Sequence, residues 1–336
     1  TISVDNNSNT SDNLSVSSFT IDTTPPTLVE TTVVSTLTND NTSLSYTFSS
    51  TEGGTFTIGG GCSSDSDNDT VVADNMTVSF AALADGTYSD CTITVTDSAG
   101  NTQTISVNTF TIDTLKPVLA QVIAVTTPTN DNTSSYTFSS TEVGNITYGV
   151  CSGSPDNASA DNNTITFDAL ADGTYDDCKI SVTDNATNIS DNLSVSSFKI
   201  DTVIPVLTQV TAVTTPTNDT TPEYSYSSTE AGTNSYGGSC GSSSTSATSP
   251  PLDNVTIILT QPDNSTALAL SDATSYSTCT ITVTDSAGNP STGLRVNTFV
   301  LDTTAPTVSA TSPTNDNSSV SVSDNISVTF SESMDN

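Results

Sequence analysis

Apolar and polar residues alternate with a period of two through most of the chain, and turn residues interrupt the alternation at short, regular intervals. In one stretch, a strand is predicted over Leu28 to Val34. A turn at Asn39-Asp40-Asn41 leads into Leu44, Tyr46 and Phe48, and Gly53-Gly54 leads into Phe56 and Ile58. Met76, Val78 and Phe80 alternate next, then Cys91, Ile93 and Val95 after a turn at Asp85-Gly86. Ser98-Ala99-Gly100-Asn101 turns the chain once more before Ile105, Val107, Phe110 and Ile112. Side chains of a strand point to opposite faces in turn, so this pattern predicts many short strands with one buried face each, as in a β-sandwich. No segment has helical periodicity. The alternation slips between Val107 and Phe110, and a bulge at Asn108-Thr109 would return both to one face.

The pattern recurs. Ala84 to Asp97 returns as Ala171 to Asp184 and, more loosely, as Ala273 to Asp285. An Asp-Thr-x-x-Pro punctuation falls at Asp22, Asp113, Asp201 and Asp302. Internal repetition of this kind marks an array of like units. The expected division is the end of a preceding repeat at 1–21, full repeats at 22–112, 113–200 and 201–301, and the start of a following domain at 302–336. The fold class is therefore all-β, with tandem sandwich domains in a linear array, and the chain reads as an interior piece of a longer one.

Each full repeat carries two cysteines: Cys62 and Cys91, Cys151 and Cys178, Cys240 and Cys279. One pair per repeat at equivalent places predicts one disulfide per repeat; two thiols without histidine make a poor zinc site. The bond would join the end of the third strand to the sixth. Disulfides persist outside the reducing cytosol, so an extracellular location is expected.

Composition narrows the function. Four basic residues stand against 37 acidic ones, for a formal charge of −33. Without a basic stripe the chain is no nucleic-acid binder, and an anionic membrane surface repels it. No apolar run has the length of a membrane span. The chain has no histidine, the usual general acid–base residue. Catalysis would rest on carboxylates alone, so no enzyme activity is expected. Ser and Thr exceed a third of the chain, but Thr is β-branched and suits strands. Gly59-Gly60-Gly61 and the run Ser242 to Ser249 read as loops.

Several of these segments resemble the immunoglobulin-like repeats of bacterial surface adhesins and biofilm-associated proteins. The resemblance lies in Val95-Thr96-Asp97-Ser98-Ala99-Gly100-Asn101, in Phe110-Thr111-Ile112-Asp113 and in Asp302-Thr303-Thr304-Ala305-Pro306. The tail, Val320 to Asp335, is similar to another bacterial Ig-like subtype. Many relatives lack cysteine, so the paired cysteines depart from the family. Asp85-Gly86-Thr87-Tyr88 partly resembles the tyrosine corner of Ig domains, with Tyr88 three positions before Cys91 instead of two. The resemblance implies an extracellular stalk or fibre, and several relatives bind calcium between repeats.

In an Ig-type sandwich the incoming segment, the B–C loop and the F–G loop share one pole. That would gather Asp22, Glu52 and Asp97 in the first repeat, Asp113, Glu142 and Asp184 in the second, and Asp201, Glu230 and Asp285 in the third. Asp40 and Asp85, at the opposite pole of the first repeat, would face Asp113 and Glu142 across the joint. Clustered carboxylates repel unless compensated, and hard oxygen ligands suit Ca²⁺. The alternative is a solvated acidic surface. The function expected is a non-enzymatic stalk or fibre on a bacterial surface, serving cell adhesion or biofilm. Its partners would be neighbouring repeats or copies of itself, with any host-cell or surface ligand engaged by regions outside this chain. The alternative function is a self-assembling subunit of an extracellular filament or surface layer.

Overall fold

The structure, a computed structural model, describes residues 1–65, 70–247, 254–262, 268–272 and 274–333. Part of the Ser242 to Ser249 run, at 248–249, and the tail residues 334–336 lie outside the described residues. All regular elements are strands; among the described residues there is no helix, and so none long and apolar enough to cross a membrane.

The first repeat shows how the alternation becomes a core. Ser45–Ser50 pairs antiparallel with Leu28–Thr32 on one side and Asp74–Ser79 on the other. A second sheet runs in the order Thr102–Ser106, Thr92–Asp97, Gly54–Gly59, Thr70–Val71. Tyr46, Phe48, Val78 and Phe80 from the first sheet and Phe56, Ile93 and Val95 from the second bury one common core. The outward positions are largely threonines, which bond across strands: Thr47 to Thr77 and Thr94 to Thr104, both at 2.8 Å. A chain so rich in hydroxyls therefore still forms sheets, because β-branched Thr suits a solvated strand face and pairs with its cross-strand neighbour.

The expected bulge at Asn108-Thr109 is replaced by a change of sheet. Thr102–Ser106 pairs with Thr92–Asp97, whereas Phe110–Ile112 pairs antiparallel with Gly86–Tyr88 and parallel with Leu37–Thr38. Asn108 fixes the crossing: its Oδ1 accepts from the Val34 N–H at 3.0 Å and its Nδ2 donates to the Val34 carbonyl at 2.8 Å. Asn297 and Val213 repeat this pair in the third repeat. Val107 and Phe110 are both buried, but through different sheets, so the parity slip is real while its cause is not a bulge.

By compactness the chain forms two units, residues 1–124, 135–166 and 177–195 in one and 125–134, 167–176 and 196–336 in the other. The first holds the whole first repeat and the main sheet pairs of the second, Ser135–Ser140 beside Leu119–Ile123 and Gly144–Tyr148 beside Lys179–Asp184. The second holds the strand pair Gly173–Tyr175 and Phe198–Ile200, and the third repeat, whose Glu223–Ser228 and Thr280–Thr284 bury Tyr224, Tyr226, Ile281 and Val283 in one core. Residues 1–21 pair only locally and leave Leu14, Val16 and Phe19 exposed.

Disulfides link Cys62 to Cys91, Cys151 to Cys178 and Cys240 to Cys279, with Cα–Cα separations of 5.2–5.3 Å. In the first repeat Cys62 lies just past Gly54–Gly59 and Cys91 just before Thr92–Asp97, at the end of a ladder that pairs Gly59 with Thr92. The tyrosine hydroxyls close the corner that spacing alone left partial. Tyr88 donates to the Ala84 carbonyl at 3.0 Å and Tyr175 to the Ala171 carbonyl at 2.9 Å. Both bonds reach a few residues upstream, as in the Ig tyrosine corner.

Candidate metal centres

Three acids meet at one pole of each full repeat. Oxygens of Asp22, Glu52 and Asp97 lie within 4.8 Å of one another, and so do those of Asp113, Glu142 and Asp184, and of Asp201, Glu230 and Asp285. Each set is built the same way. The glutamate sits two residues before a glycine that pairs with the strand ending in the third acid: Gly54 opposite Asp97 of Thr92–Asp97, and Gly144 opposite Asp184 of Lys179–Asp184. A Cβ on Gly54 would stand 2.0 Å from the Thr96 carbonyl oxygen, so only glycine lets the chain approach this closely. A buried serine secures the glutamate's backbone: Ser50, Ser140 and Ser228 donate to the carbonyls of Glu52, Glu142 and Glu230 at 2.6–2.7 Å.

The aspartate that ends that strand is held harder. Asp97 and Asp184 are only 7% and 6% exposed. Asp97 Oδ1 accepts from the N–H groups of Ala99 and Asn101, and Oδ2 accepts from Asn101 Nδ2 at 2.8 Å. The same amide also donates to the carbonyl of the incoming aspartate, Asn101 to Asp22 at 3.3 Å, Asn188 to Asp113 at 2.8 Å and Asn289 to Asp201 at 2.7 Å. The closing asparagine of the Asp-x-x-x-Asn motif thus ties the F–G turn to the segment that enters the repeat. Its spacing alone identified only a turn. Replacing Asn188 by Ala strips a donor from a buried carboxylate and from the Asp113 carbonyl together, and should cost about 2 kcal/mol. A lower chemical-denaturation midpoint at unchanged slope would register that loss.

The electrostatics divide the cluster. Asn101 side-chain bonding, helped by the turn N–H groups and opposed by desolvation, holds Asp97 below the ordinary carboxylate value. Desolvation first, and the two neighbouring aspartates second, push Glu52, Glu142 and Glu230 above theirs. At the third cluster the Lys199 ammonium lies 2.8 Å from Asp201 Oδ2 and works against the rise at Glu230. Carboxylate oxygens that share one Ca²⁺ at 2.3–2.6 Å can be no more than about 5 Å apart, so three acids within 4.8 Å have the reach to hold one. The donors are all hard oxygens, as that ion requires.

Two expected neighbours do other work. Asp40 is tied up within its own turn, accepting from the N–H groups of Thr42 and Ser43 at 2.9 Å. Asp85 reaches the next linker, but its partner is Thr114, whose N–H and Oγ1 donate to it at 3.1 and 2.9 Å. Asp172 takes Thr202 in the same way, and Asp272 takes Thr303 and Thr304. The linkers that begin at Asp113, Asp201 and Asp302 are therefore each latched to the preceding repeat through the threonine that follows the aspartate. Sequence reasoning passed over Glu332. It occupies the place of Glu52, since Ser331 and Thr307 exchange the bonds that Thr51 and Thr27 exchange. With Asp302 it lines a cleft, and its Oε1 is buried without a hydrogen-bond partner among the described residues.

Residues 302–336 match the family described as bacterial Ig-like domain. No curated protein matches the chain. Among solved structures the chain is similar to the fibronectin(III)-like modules of Clostridium thermocellum CbhA, at 11% identity and a TM-score of 0.31, over 52% of this chain and 94% of that one. It is also similar to E. coli alpha-2-macroglobulin, at 12% identity and a TM-score of 0.16, over 84% of this chain. A third is Salmonella alpha-2-macroglobulin reacted with methylamine, at 11% identity and a TM-score of 0.19, over 92% of this chain. The chain spans 23% of each macroglobulin. The paired sheets make this an all-β protein of Ig-like sandwich architecture, and the family match at residues 302–336 agrees with it.

Proposed function

We propose that the chain is a length of non-enzymatic extracellular stalk or fibre on a bacterial surface, of the kind that carries adhesion or builds biofilm. Each of the repeats 22–112, 113–200 and 201–301 is one Ig-like domain in this reading. The observation that carries it is the recurrence of one joint, an acidic cluster, an asparagine tie and an aspartate latch, which is built at Asp113 and rebuilt at Asp201. A binding or catalytic module has one unique cleft, whereas a spacer repeats its joints. Calcium at the clusters would stiffen the joints by replacing repulsion with coordination. All six cysteines are bonded, which leaves no thiol nucleophile and suits an oxidising location.

Force spectroscopy tests the mechanical reading. Each disulfide removes its loop from the extensible length, 29 residues in the first repeat. At ~3.5 Å per residue, reduction should lengthen each unfolding step of that repeat by about 100 Å. Unfolding at negligible force, without a sawtooth, would end the stalk reading. Ordered polymers of the purified chain under negative stain would favour a filament subunit instead.

A further inference from the structure

The three clusters share their acids and differ in what stands beside them. Lys199 lies two residues before Asp201, at the exposed middle position of Phe198–Ile200, and its Nζ is 2.8 Å from Asp201 Oδ2. It lines one cleft with Asp201, Glu230 and Asp285. The equivalent positions before the other two clusters are Thr20 and Thr111, which carry no charge. A chain with four basic residues in 336 has placed one of them where three carboxylates converge.

We propose that Lys199 is the resident counter-ion of the Asp201–Glu230–Asp285 cluster, so that this joint keeps its geometry without a metal ion. The inference rests, for the first two clusters only, on the calcium reading above. An ammonium supplies one positive charge and three donors to carboxylate oxygens. It brings the cluster's formal charge from −3 to −2 within the cleft that the three acids line. With 53% of its side chain exposed, Lys199 neutralises from the solvent side and is not buried in the core. Calcium at this cluster should be weaker by about ten-fold or more, the order set by one unit charge ~5 Å from a divalent ion even in water.

The test titrates Tb³⁺, a luminescent stand-in for Ca²⁺, into the full chain and into Lys199→Thr, which copies Thr111. The variant should gain one tight equivalent over the parent, and adding Glu230→Gln should remove it. A parent chain whose third cluster already binds as tightly as the others overturns the proposal. A second readout uses no metal: amide hydrogen exchange at Val203 and Asn289 in chelator. Lys199→Thr should speed exchange there, and Lys199→Arg should restore it. If no tight site forms in either chain, the calcium reading falls while the exchange result still judges Lys199. Unchanged exchange in Lys199→Thr would then sink the counter-ion role as well.

Discussion

Replacing Cys62 and Cys91 together by Ala should destabilise the first repeat by about 3.5 kcal/mol, and the same should hold for Cys151 with Cys178 and Cys240 with Cys279. The chain-entropy argument sets the size: closing a loop of 27 to 39 residues removes unfolded conformations worth about 3.5–4 kcal/mol. Context makes the loss severe. A sandwich of this size is stable by about 5–15 kcal/mol in all, and here many buried positions hold small polar side chains such as Ser50, Ser140 and Ser228. The melting temperature should fall by about 15–25 °C. Both sulfurs are buried in every pair, so the double Ala change also removes core volume and cannot come out milder than reduction of the intact bond. Differential scanning calorimetry of the three double variants decides it; a fall below about 5 °C in all three would show that the sheets are held by packing alone.

Much of this fold could be read from the residues because its signals are local. Period-two alternation in Tyr46, Phe48, Ile93 and Val95 marks the inward faces, and each of these is fully buried. The acids of each cluster were legible as a set because the loops that carry them recur at fixed places in a sandwich. What stayed hidden depends on long-range pairing. A parity slip between Val107 and Phe110 looks the same whether the strand bulges or changes sheets, and only the partners Gly86–Tyr88 and Leu37–Thr38 distinguish the two. Asp85 was correctly placed at the joint, yet which group it meets depends on the linker's path, and the linker presents Thr114. The Asn101 tie was invisible for the same reason: the motif shows a turn, while its second partner, Asp22, is 79 residues away.

The apo chain should lose stability as pH rises above about 4.5, and calcium should reverse that trend. Glu52, Glu142 and Glu230 have folded values raised above 4.5 by desolvation and by their aspartate neighbours. Between the unfolded and folded values the native state binds more protons, so unfolding free energy falls with rising pH across that window. Asp97 and Asp40 act oppositely: their folded values lie below 3.8, and the stability they add is lost as pH falls through those values. Stability in chelator should therefore peak between the two effects, at about pH 4–4.5. Calcium requires ionised carboxylates, so it should bind above the glutamate values, where the apo clusters repel most. At a concentration 100-fold over the dissociation constant, each occupied site adds about 2.7 kcal/mol. Glu142→Gln separates the two roles of that residue. It removes a repelling charge and a ligand at once, so the variant should be more stable than the parent in chelator at pH 7 and should gain less from calcium. Melting curves across pH, with chelator and with calcium, carry the test. A parent chain indifferent to calcium at neutral pH, alongside an indifferent Glu142→Gln, would leave these acids as solvated surface charge, since a shared ion must respond to losing one of three carboxylates within 4.8 Å.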